Sequence, residues 1–334
     1  MIFKSKWQWL VSVLCFGSFS LFPLHAQISG YDVAYPSAYL LGLSSQGVVS
    51  SNPMASLYGN TAFLSYQSKH MLDVSTNSSY ANPNFSPLYL SGAGYLSFSE
   101  SLGFGVRGKP VYLRSFPADE RFSNYAFQAF VNWKFNPYVS FAIQVGPGVS
   151  GRLGGYSSYS WNVSFSTAIQ YENFRIGILL ESPGTYRFDE YLGSERLKEK
   201  LPERLMLGFG YKWNDWLELQ LEGSRKFYES TSVDLNHKSQ FIPYPVKTMY
   251  SGNISLAIGK MDSFQVLTGV GREIRMEQSL RGFTTGSIGV AGSLFPSWFG
   301  EGLFYAVSLQ RSGINIKERD GGESRMALQV QTQF

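Results

Sequence analysis

The sequence predicts an all-β protein, a transmembrane antiparallel β-barrel of about fourteen strands with an amino-terminal plug. Three observations support this prediction. Strands with alternating apolar and polar residues recur along the chain, short and long connections alternate between them, and the final strand ends on an aromatic residue. Membrane barrels have these features because each strand faces lipid on one side and a polar interior on the other. A soluble barrel would instead turn its apolar face inward.

The last strand, 326–334, shows the alternation most clearly. Its even positions are Met, Leu, Val, Thr and Phe, and its odd positions are Ala, Gln, Gln and Gln. Because successive strand residues point to opposite faces, one face is mostly apolar and the other mostly amide. A soluble sandwich strand could alternate in the same way. The terminal Phe334 favours a barrel, because it resembles the closing-strand signal of bacterial outer-membrane barrels.

Charged residues occupy the polar face of several other strands. In 125–135, 174–180 and 216–223 the apolar positions alternate with polar or small ones. The charged residues predicted to face the lumen are Lys134, Arg175, Glu218 and Glu222. A polar lumen accepts such charges, whereas a lipid-facing surface does not.

The connections indicate the orientation of the barrel. Short links lie at 99–101, 136–137, 172–173, 214–215 and 260–263, and longer ones at 115–123, 150–159, 182–202, 230–246, 277–282 and 312–324. Outer-membrane barrels have short periplasmic turns and longer outer loops. Aromatic residues crowd the short links and predict an interfacial girdle there. Counting back from Phe334 gives about fourteen strands, the first beginning near Met71.

The chain divides into three predicted segments. Residues 1–26 have the pattern of a signal peptide, with Lys4 and Lys6 before an apolar run that is too short for a membrane span. Residues 27–67 are predicted to form a plug, and residues 68–334 the outer-membrane barrel. A solvated tail is the alternative for 27–67, but its low charge and apolar content favour a plug. The segment 61–66 is expected to be strand-like.

Composition excludes several other functions. The one cysteine, Cys15, lies in the predicted signal, and removal of Lys4 and Lys6 with that signal lowers the formal net charge from +4 to +2. A nucleic-acid partner is therefore not expected. No metal site, cofactor or catalytic residue is predicted, because His70 and His237 stand apart from any cluster of ligands with metal-binding spacing. Two GxGxxG matches, at 103–108 and 146–151, lie in strands and do not open helices.

One motif near the amino terminus resembles a known family. Asn52, Pro53, Met54 and Ala55, followed by the strand-like 62–66, are similar to the Asn-Pro-Ala motif in the plug, or hatch, of the FadL/OmpP1 family of outer-membrane transporters. The segments 176–183, 201–204 and 207–212 are similar to the family's succession of strand, long loop, Leu-Pro and strand. Pro53 fixes its own φ and pushes Asn52 towards an extended backbone, and the Asn52 amide could bond the lumen wall.

Two departures from the family pattern have consequences for function. Met54 stands where the family has Ala, and the chain is shorter than is typical of long-chain fatty-acid transporters. The shorter length resembles the PorV-like branch, whose members are barrel partners in protein secretion. The resemblance thus implies either passive uptake of small hydrophobic molecules such as long-chain fatty acids, or a role as a secretion partner or surface-exposed adhesin.

Four residues are candidates for a gap or kink in the barrel wall: Gly92, Gly94, Pro110 and Pro147. A proline within a barrel strand usually marks a bulge, kink or edge. In the FadL family such a kink is the proposed sideways exit for hydrophobic substrates. Ordinary curvature of the strands is the alternative.

The sequence thus predicts location and partners. The expected location is the bacterial outer membrane. The expected partners are outer-membrane lipid, a small hydrophobic ligand, the barrel-assembly machinery and, in the interaction alternative, a protein at the outer loops.

Overall fold

The computed structural model describes residues 37–80, 88–114, 122–152, 156–181, 183, 186–190, 196–200, 203–227, 233–235, 238–240, 248–275, 283–295, 302–312 and 323–334. The predicted signal peptide and residues 27–36 of the predicted plug lie outside this range. The described residues form one antiparallel sheet that closes on itself, with two short α-helices and a 3₁₀-helix before the first strand.

The strand segments follow one another around the barrel, and each pairs with its neighbours. They are β1 (Met71–Tyr80), β2 (Leu88–Ser97), β3 (Leu102–Arg114), β4 (Phe122–Lys134), β5 (Val139–Arg152), β6 (Tyr156–Tyr171), β7 (Phe174–Glu181), β8 (Tyr186–Glu190), β9 (Arg196–Lys200), β10 (Glu203–Asn214), β11 (Leu217–Phe227), β12 (Val233–Leu235), β13 (Lys238–Gln240), β14 (Thr248–Lys260), β15 (Phe264–Arg275), β16 (Phe283–Phe295), β17 (Gly302–Ser312) and β18 (Glu323–Gln333).

Four pairs of these segments are consecutive parts of single strands. Both β7 and β8 pair antiparallel with β6, so β8 continues β7. In the same way β9 leads into β10, β12 continues β11, and β13 leads into β14. The described sheet is therefore a fourteen-stranded antiparallel barrel, as the sequence predicts.

The first and last strands close the barrel. Met71 pairs with Gln333, and the register continues without a shift to Tyr80 opposite Ser324. Beyond this ladder, the His70 and Phe334 backbones exchange hydrogen bonds of 2.9 and 3.1 Å. The prediction that the first strand begins near Met71 is confirmed. The role of Phe334 as an assembly signal stays a prediction.

Residues alternate between the two faces as the pattern predicts. On β18, Ala327, Gln329 and Gln331 are buried inside the barrel, whereas Leu328 and Val330 are exposed on the outside. The same alternation places exposed Leu, Ile, Val and Phe side chains on the outside of the other strands. An apolar exterior with a polar interior is typical of membrane barrels.

Aromatic side chains form a band at the end of the barrel that carries the short connections, here called the short-connection end. Its exposed members include Trp133, Phe135, Tyr171, Phe174, Trp213 and Trp216. Several of the rings are in contact, with centroids of Phe174 and Tyr211 4.7 Å apart. Among the described residues, no helix is both long enough and apolar enough to cross a membrane.

The structure corrects the sequence prediction at two kinds of segment. Residues Thr61–Tyr66 form a 3₁₀-helix, not a strand, because the Asn60 side chain caps the segment and Thr61–Ser65 are all buried. The predicted loops 182–202 and 230–246 contain the segments β8, β9, β12 and β13, and the predicted loop 150–159 is mostly strand. The prediction relied on alternating apolar residues, and a strand that extends beyond the apolar band does not need an apolar face.

A pair of lysine substitutions tests which way β18 faces. Val330→Lys places an ammonium on the apolar exterior and should destabilise the barrel by about 2–4 kcal/mol. Gln331→Lys places it inside, where the Gln331 amide now lies 3.3 Å from the Asp73 carboxylate, and should be much less damaging. The measurement is the yield and heat resistance of folded barrel on cold and boiled gels. Equal losses from the two lysines would contradict the assigned facing.

Candidate functional site: the plug inside the barrel

Three short helices lie inside the barrel. They are α1 (Ala38–Gly42), α2 (Pro53–Ser56) and the 3₁₀-helix η1 (Thr61–Tyr66). The side chains of Ser37, Asn52 and Asn60 cap their first turns by accepting a backbone N–H bond. Almost every residue from Ser37 to Ser65 is buried. We call the described segment 37–67 the plug.

The apolar part of the plug packs against apolar residues of the wall. Residues of α1 form one buried cluster with Leu267, Ala291, Ala306 and Ala327 on β15 to β18. A second cluster joins Phe63 of η1 to Ala142 and Ala168 on β5 and β6. The plug therefore contacts opposite sides of the barrel.

The Asn-Pro motif lies at the start of α2. The Asn52 side-chain oxygen accepts a 2.9 Å bond from the Met54 N–H, and Pro53 occupies the first turn, where its missing N–H costs nothing. Met54 and Ala55 are fully buried. Asn52 thus caps a helix of the plug, whereas the sequence suggested a bond from its amide to the wall.

Glu222 on β11 holds the connection between α1 and α2. One carboxylate oxygen accepts bonds from the Ser45 hydroxyl (2.9 Å) and the Gln46 N–H (2.7 Å). The other accepts bonds from the backbone N–H groups of Val48 (2.7 Å) and Val49 (3.2 Å). Hydrogen bonds to a charged group are about twice as strong as neutral ones. Glu222 was predicted to face the lumen, and the structure shows what it binds there.

Arg107 on β3 binds the connection between α2 and η1. This fully buried guanidinium donates to the carbonyl oxygens of Tyr58 (2.5 Å) and Gly59 (3.2 Å). It also donates to the side-chain oxygens of Gln128 (2.9 Å) and Gln144. Sequence reasoning missed Arg107, although its position on the inward face of a strand was a usable signal.

Asp73 and Gln329 join the plug to the two strands that close the barrel. The Gln329 amide donates to the Asp73 carboxylate (2.8 Å) and to the Met54 carbonyl (2.9 Å). Its oxygen accepts a 2.7 Å bond from the Ser37 hydroxyl. The Tyr58 hydroxyl donates to Asp73 over 2.7 Å, and burial together with that carboxylate raises the pKa of Tyr58, which keeps it a donor.

The remaining predicted lumen charges also lie inside the barrel. Arg175 pairs with Glu218, its guanidinium nitrogen 2.6 Å from the carboxylate, and donates to the Ser51 hydroxyl. Lys134 lies near the short-connection end with its ammonium 6.0 Å from the centre of the Tyr66 ring. At the level of the plug, Arg175 and Glu222 of the polar lumen face therefore contact the plug, whereas the sequence suggested that this face meets water.

His70 contacts the second strand and the carboxyl-terminal residue. Its Nδ1 accepts a 3.1 Å bond from the Ser97 N–H, and its ring lies 5.7 Å from that of Phe334. Within the described part of the chain, no group of three or more His, Cys, Asp or Glu residues could hold a metal ion.

Inward-facing glycines allow the plug backbone to approach the wall. A Cβ on Gly177 of β7 would overlap the Val48 carbonyl oxygen, and one on Gly269 of β15 would overlap the Leu43 carbonyl oxygen. These two glycines are therefore required by close approach of two backbones.

The barrel wall is irregular from β2 to β5. The register between β2 and β3 shifts between Leu90 and Gly92, opposite Pro110, which indicates a bulge. The β4–β5 ladder is interrupted opposite Pro147. The two backbones are nevertheless close there, because a Cβ on Gly146 would overlap the Phe127 carbonyl oxygen. Gly94 lies in a regular part of the β2–β3 pairing. The backbones thus stay in contact there with fewer hydrogen bonds, and a gap at these residues stays a prediction.

Comparisons with known proteins give a consistent fold. No family model matches the chain, and no curated protein sequence matches it. Among solved structures, it is similar to a FadL homologue of Pseudomonas aeruginosa, with a TM-score of 0.68 and 11% identity, covering 92% of this chain and 99% of that one. The chain has the FadL-type fold.

Two further structures with this fold have informative names. The CymD monoaromatic hydrocarbon channel matches with a TM-score of 0.64 and 11% identity, covering 91% of this chain and 98% of that one. The Ralstonia pickettii toluene transporter TbuX matches with a TM-score of 0.60 and 12% identity, covering 89% and 97%. The titles of these two structures name a channel and a transporter.

Loss of the Glu222 charge should loosen the plug. Glu222→Gln turns one acceptor oxygen into a donor that faces the plug N–H groups, at a cost of about 1.5–3 kcal/mol. We expect amide hydrogen exchange at Gln46, Val48 and Val49 to become about tenfold faster or more. Glu100→Gln, on an exposed turn, is the matched control. Unchanged exchange in the Glu222 variant would show that the carboxylate does not hold the plug.

Adding one methyl group at a contact glycine should displace the plug. Gly177→Ala and Gly269→Ala should each cost about 1–3 kcal/mol by overpacking. Gly286→Ala is the control, because a Cβ there meets nothing within 4 Å. The measurement is the midpoint temperature of unfolding of each variant, followed by heat resistance on gels. Equal midpoints for the three variants would argue against close contact between plug and wall.

Proposed function

We propose that this chain is a bacterial outer-membrane channel for passive uptake of small hydrophobic molecules, such as long-chain fatty acids. The observation that carries the proposal is a FadL-type fold over about nine-tenths of the chain, with its plug inside. Relatives of that fold are named for toluene and monoaromatic hydrocarbons, so the ligand class proposed here is hydrophobic and uncharged or weakly charged. The names of these relatives favour transport over the secretion-partner or adhesin alternative.

The exterior supports the membrane placement. Exposed side chains such as Leu72, Val74 and Ile254 lie on the outer surface of their strands. In water this continuous apolar surface would be unfavourable by roughly 25 cal/mol per Å². In a bilayer this apolar surface contacts lipid chains, and the closed sheet leaves no unpaired edge.

Rearrangement of the plug is the proposed gating step. The plug reaches from one side of the wall to the other, so a ligand that enters from the long-connection end is proposed to need either movement of the plug or an opening in the wall. The wall between β2 and β5, with its bulge opposite Pro110 and the interrupted ladder at Pro147, is the proposed place for such an opening. Fewer ladder bonds lower the cost of separating strands there.

Uptake into liposomes tests the proposal. Vesicles with the purified barrel should take up a fluorescent long-chain fatty acid or toluene faster than empty vesicles. Asn52→Ala should change the rate, because loss of the cap destabilises α2 by about 1 kcal/mol while the barrel still assembles. Lys212→Gln, at an exposed position at the short-connection end, should leave the rate unchanged. No uptake above empty vesicles for either probe would refute transport.

A further inference from the structure

Three arginines lie on the outer surface of one side of the barrel. Arg225 on β11, Arg272 on β15 and Arg311 on β17 are exposed, and buried residues of the opposite parity on the same strands, such as Glu222, Gly271 and Gln310, face inward. Among outward-facing residues whose side chains the structure describes on β1 to β7, none is charged. Among the outward-facing side chains that the structure describes, positive charge thus lies on β11–β17 and not on β1–β7.

All three arginines lie at a similar height. Arg225 and Arg272 are eight residues beyond the first residue of their strands, and Arg311 is nine beyond. With a rise of about 3.3 Å per residue and a strand tilt of about 40°, this is about 20 Å above the short-connection end. The apolar band of a membrane barrel is about 25 Å tall, so the guanidinium groups are at its far boundary, where phosphate headgroups begin.

The strand register places the arginines beside one another. Arg225 is opposite Tyr250, Arg272 is opposite Gly252 on the neighbouring strand, and Arg311 is opposite Gly286. Successive arginines are two strands apart, which is about 10 Å across the sheet. We call Arg225, Tyr250, Arg272 and Arg311 the arginine patch.

The charges of the patch are not neutralised by the described part of the chain. Arg272 and Arg311 make no hydrogen bond or ion pair there, and Arg225 stacks on the rings of Phe227 (4.4 Å) and Tyr250 (5.4 Å). On β10 to β18, the one acidic residue among described outward-facing side chains is Glu203, which is opposite Phe227 and not Arg225. A guanidinium at the edge of an apolar surface is stabilised by an anion from outside the barrel.

The surface at and below the patch is flat and apolar. Gly223, Gly252 and Gly286 face outward, and a Cβ at any of them would have no atom closer than 3.6 Å. Ile254, Val270 and Ile288 lie towards the membrane centre and are 57–59% exposed. A hydrocarbon chain can lie along these three side chains without meeting a protruding group.

We propose that the arginine patch binds a phosphorylated glycolipid of the surrounding outer leaflet. Arg272, with Arg225 or Arg311, contacts its phosphates through paired N–H donors, and one acyl chain lies along Ile254, Val270 and Ile288. Arginine suits this role because its planar fork binds phosphate oxygens in pairs. A headgroup with two phosphates matches a spacing of about 10 Å better than a headgroup with one. The inference rests on the membrane placement proposed above and is independent of transport.

Native mass spectrometry of the full barrel in detergent tests the proposal. The probes are lipid A with two phosphates, lipid A with one, and its dephosphorylated form. Binding should be strongest with two phosphates, and Arg272→Gln should weaken it about tenfold or more. Lys212→Gln removes the same charge at the opposite end of the barrel and should have no effect. Arg272→Lys should restore part of the affinity, because it keeps the charge but loses the planar fork.

Three outcomes would overturn the proposal. Equal binding of the phosphorylated and dephosphorylated lipids would show that the patch does not recognise phosphate. Displacement of the lipid by an equal concentration of inorganic pyrophosphate would point to a soluble anion. A change of oligomeric state in Arg272→Gln, with lipid binding intact, would assign the patch to a protein interface. None of these readouts depends on uptake, so failure here and failure of transport are distinguishable.

Discussion

The whole architecture depends on the pairing of β1 with β18. An apolar surrounding offers no hydrogen bonds, so each backbone N–H and C=O of the wall needs a partner within the sheet. The ladder from Met71 opposite Gln333 to Tyr80 opposite Ser324 removes the last two free edges. Because both faces of that ladder follow a period of two, closure also fixes which side chains point inward. Asp73 and Gln329 therefore meet the plug as a direct result of how the barrel closes.

The barrel could be predicted from the sequence because its signal is local and repeated. Alternation gave the inward position of Glu222 and Arg175, and counting strands gave the start near Met71. The plug contacts could not be predicted in the same way. Nothing near Glu222 in the sequence indicates that it meets backbone N–H groups some 170 residues earlier, since that depends on closure. The 3₁₀-helix at 61–66 was missed because its shape follows from burial on all sides and the Asn60 cap.

The plug is bound to the wall through both its backbone and its side chains. Glu222 accepts bonds from main-chain N–H groups, Arg107 donates to main-chain carbonyls, and Gln329 bonds the Met54 carbonyl. The hydroxyl groups of Ser37, Ser45 and Tyr58 add side-chain bonds to Gln329, Glu222 and Asp73. These bonds also make displacement of the plug cooperative. If the plug moves, the buried Glu222 carboxylate and the buried Arg107 guanidinium lose their partners at the same time.

The connection between η1 and β1 sets a limit on how far the plug can travel. The helix ends at Tyr66 and the strand begins at Met71, so five Cα–Cα steps span at most about 18 Å. Because Met71 is opposite Gln333 at the short-connection end, η1 stays within that distance of the rim there for as long as β1 remains in the sheet. A longer displacement is open only to the part of the plug that precedes η1.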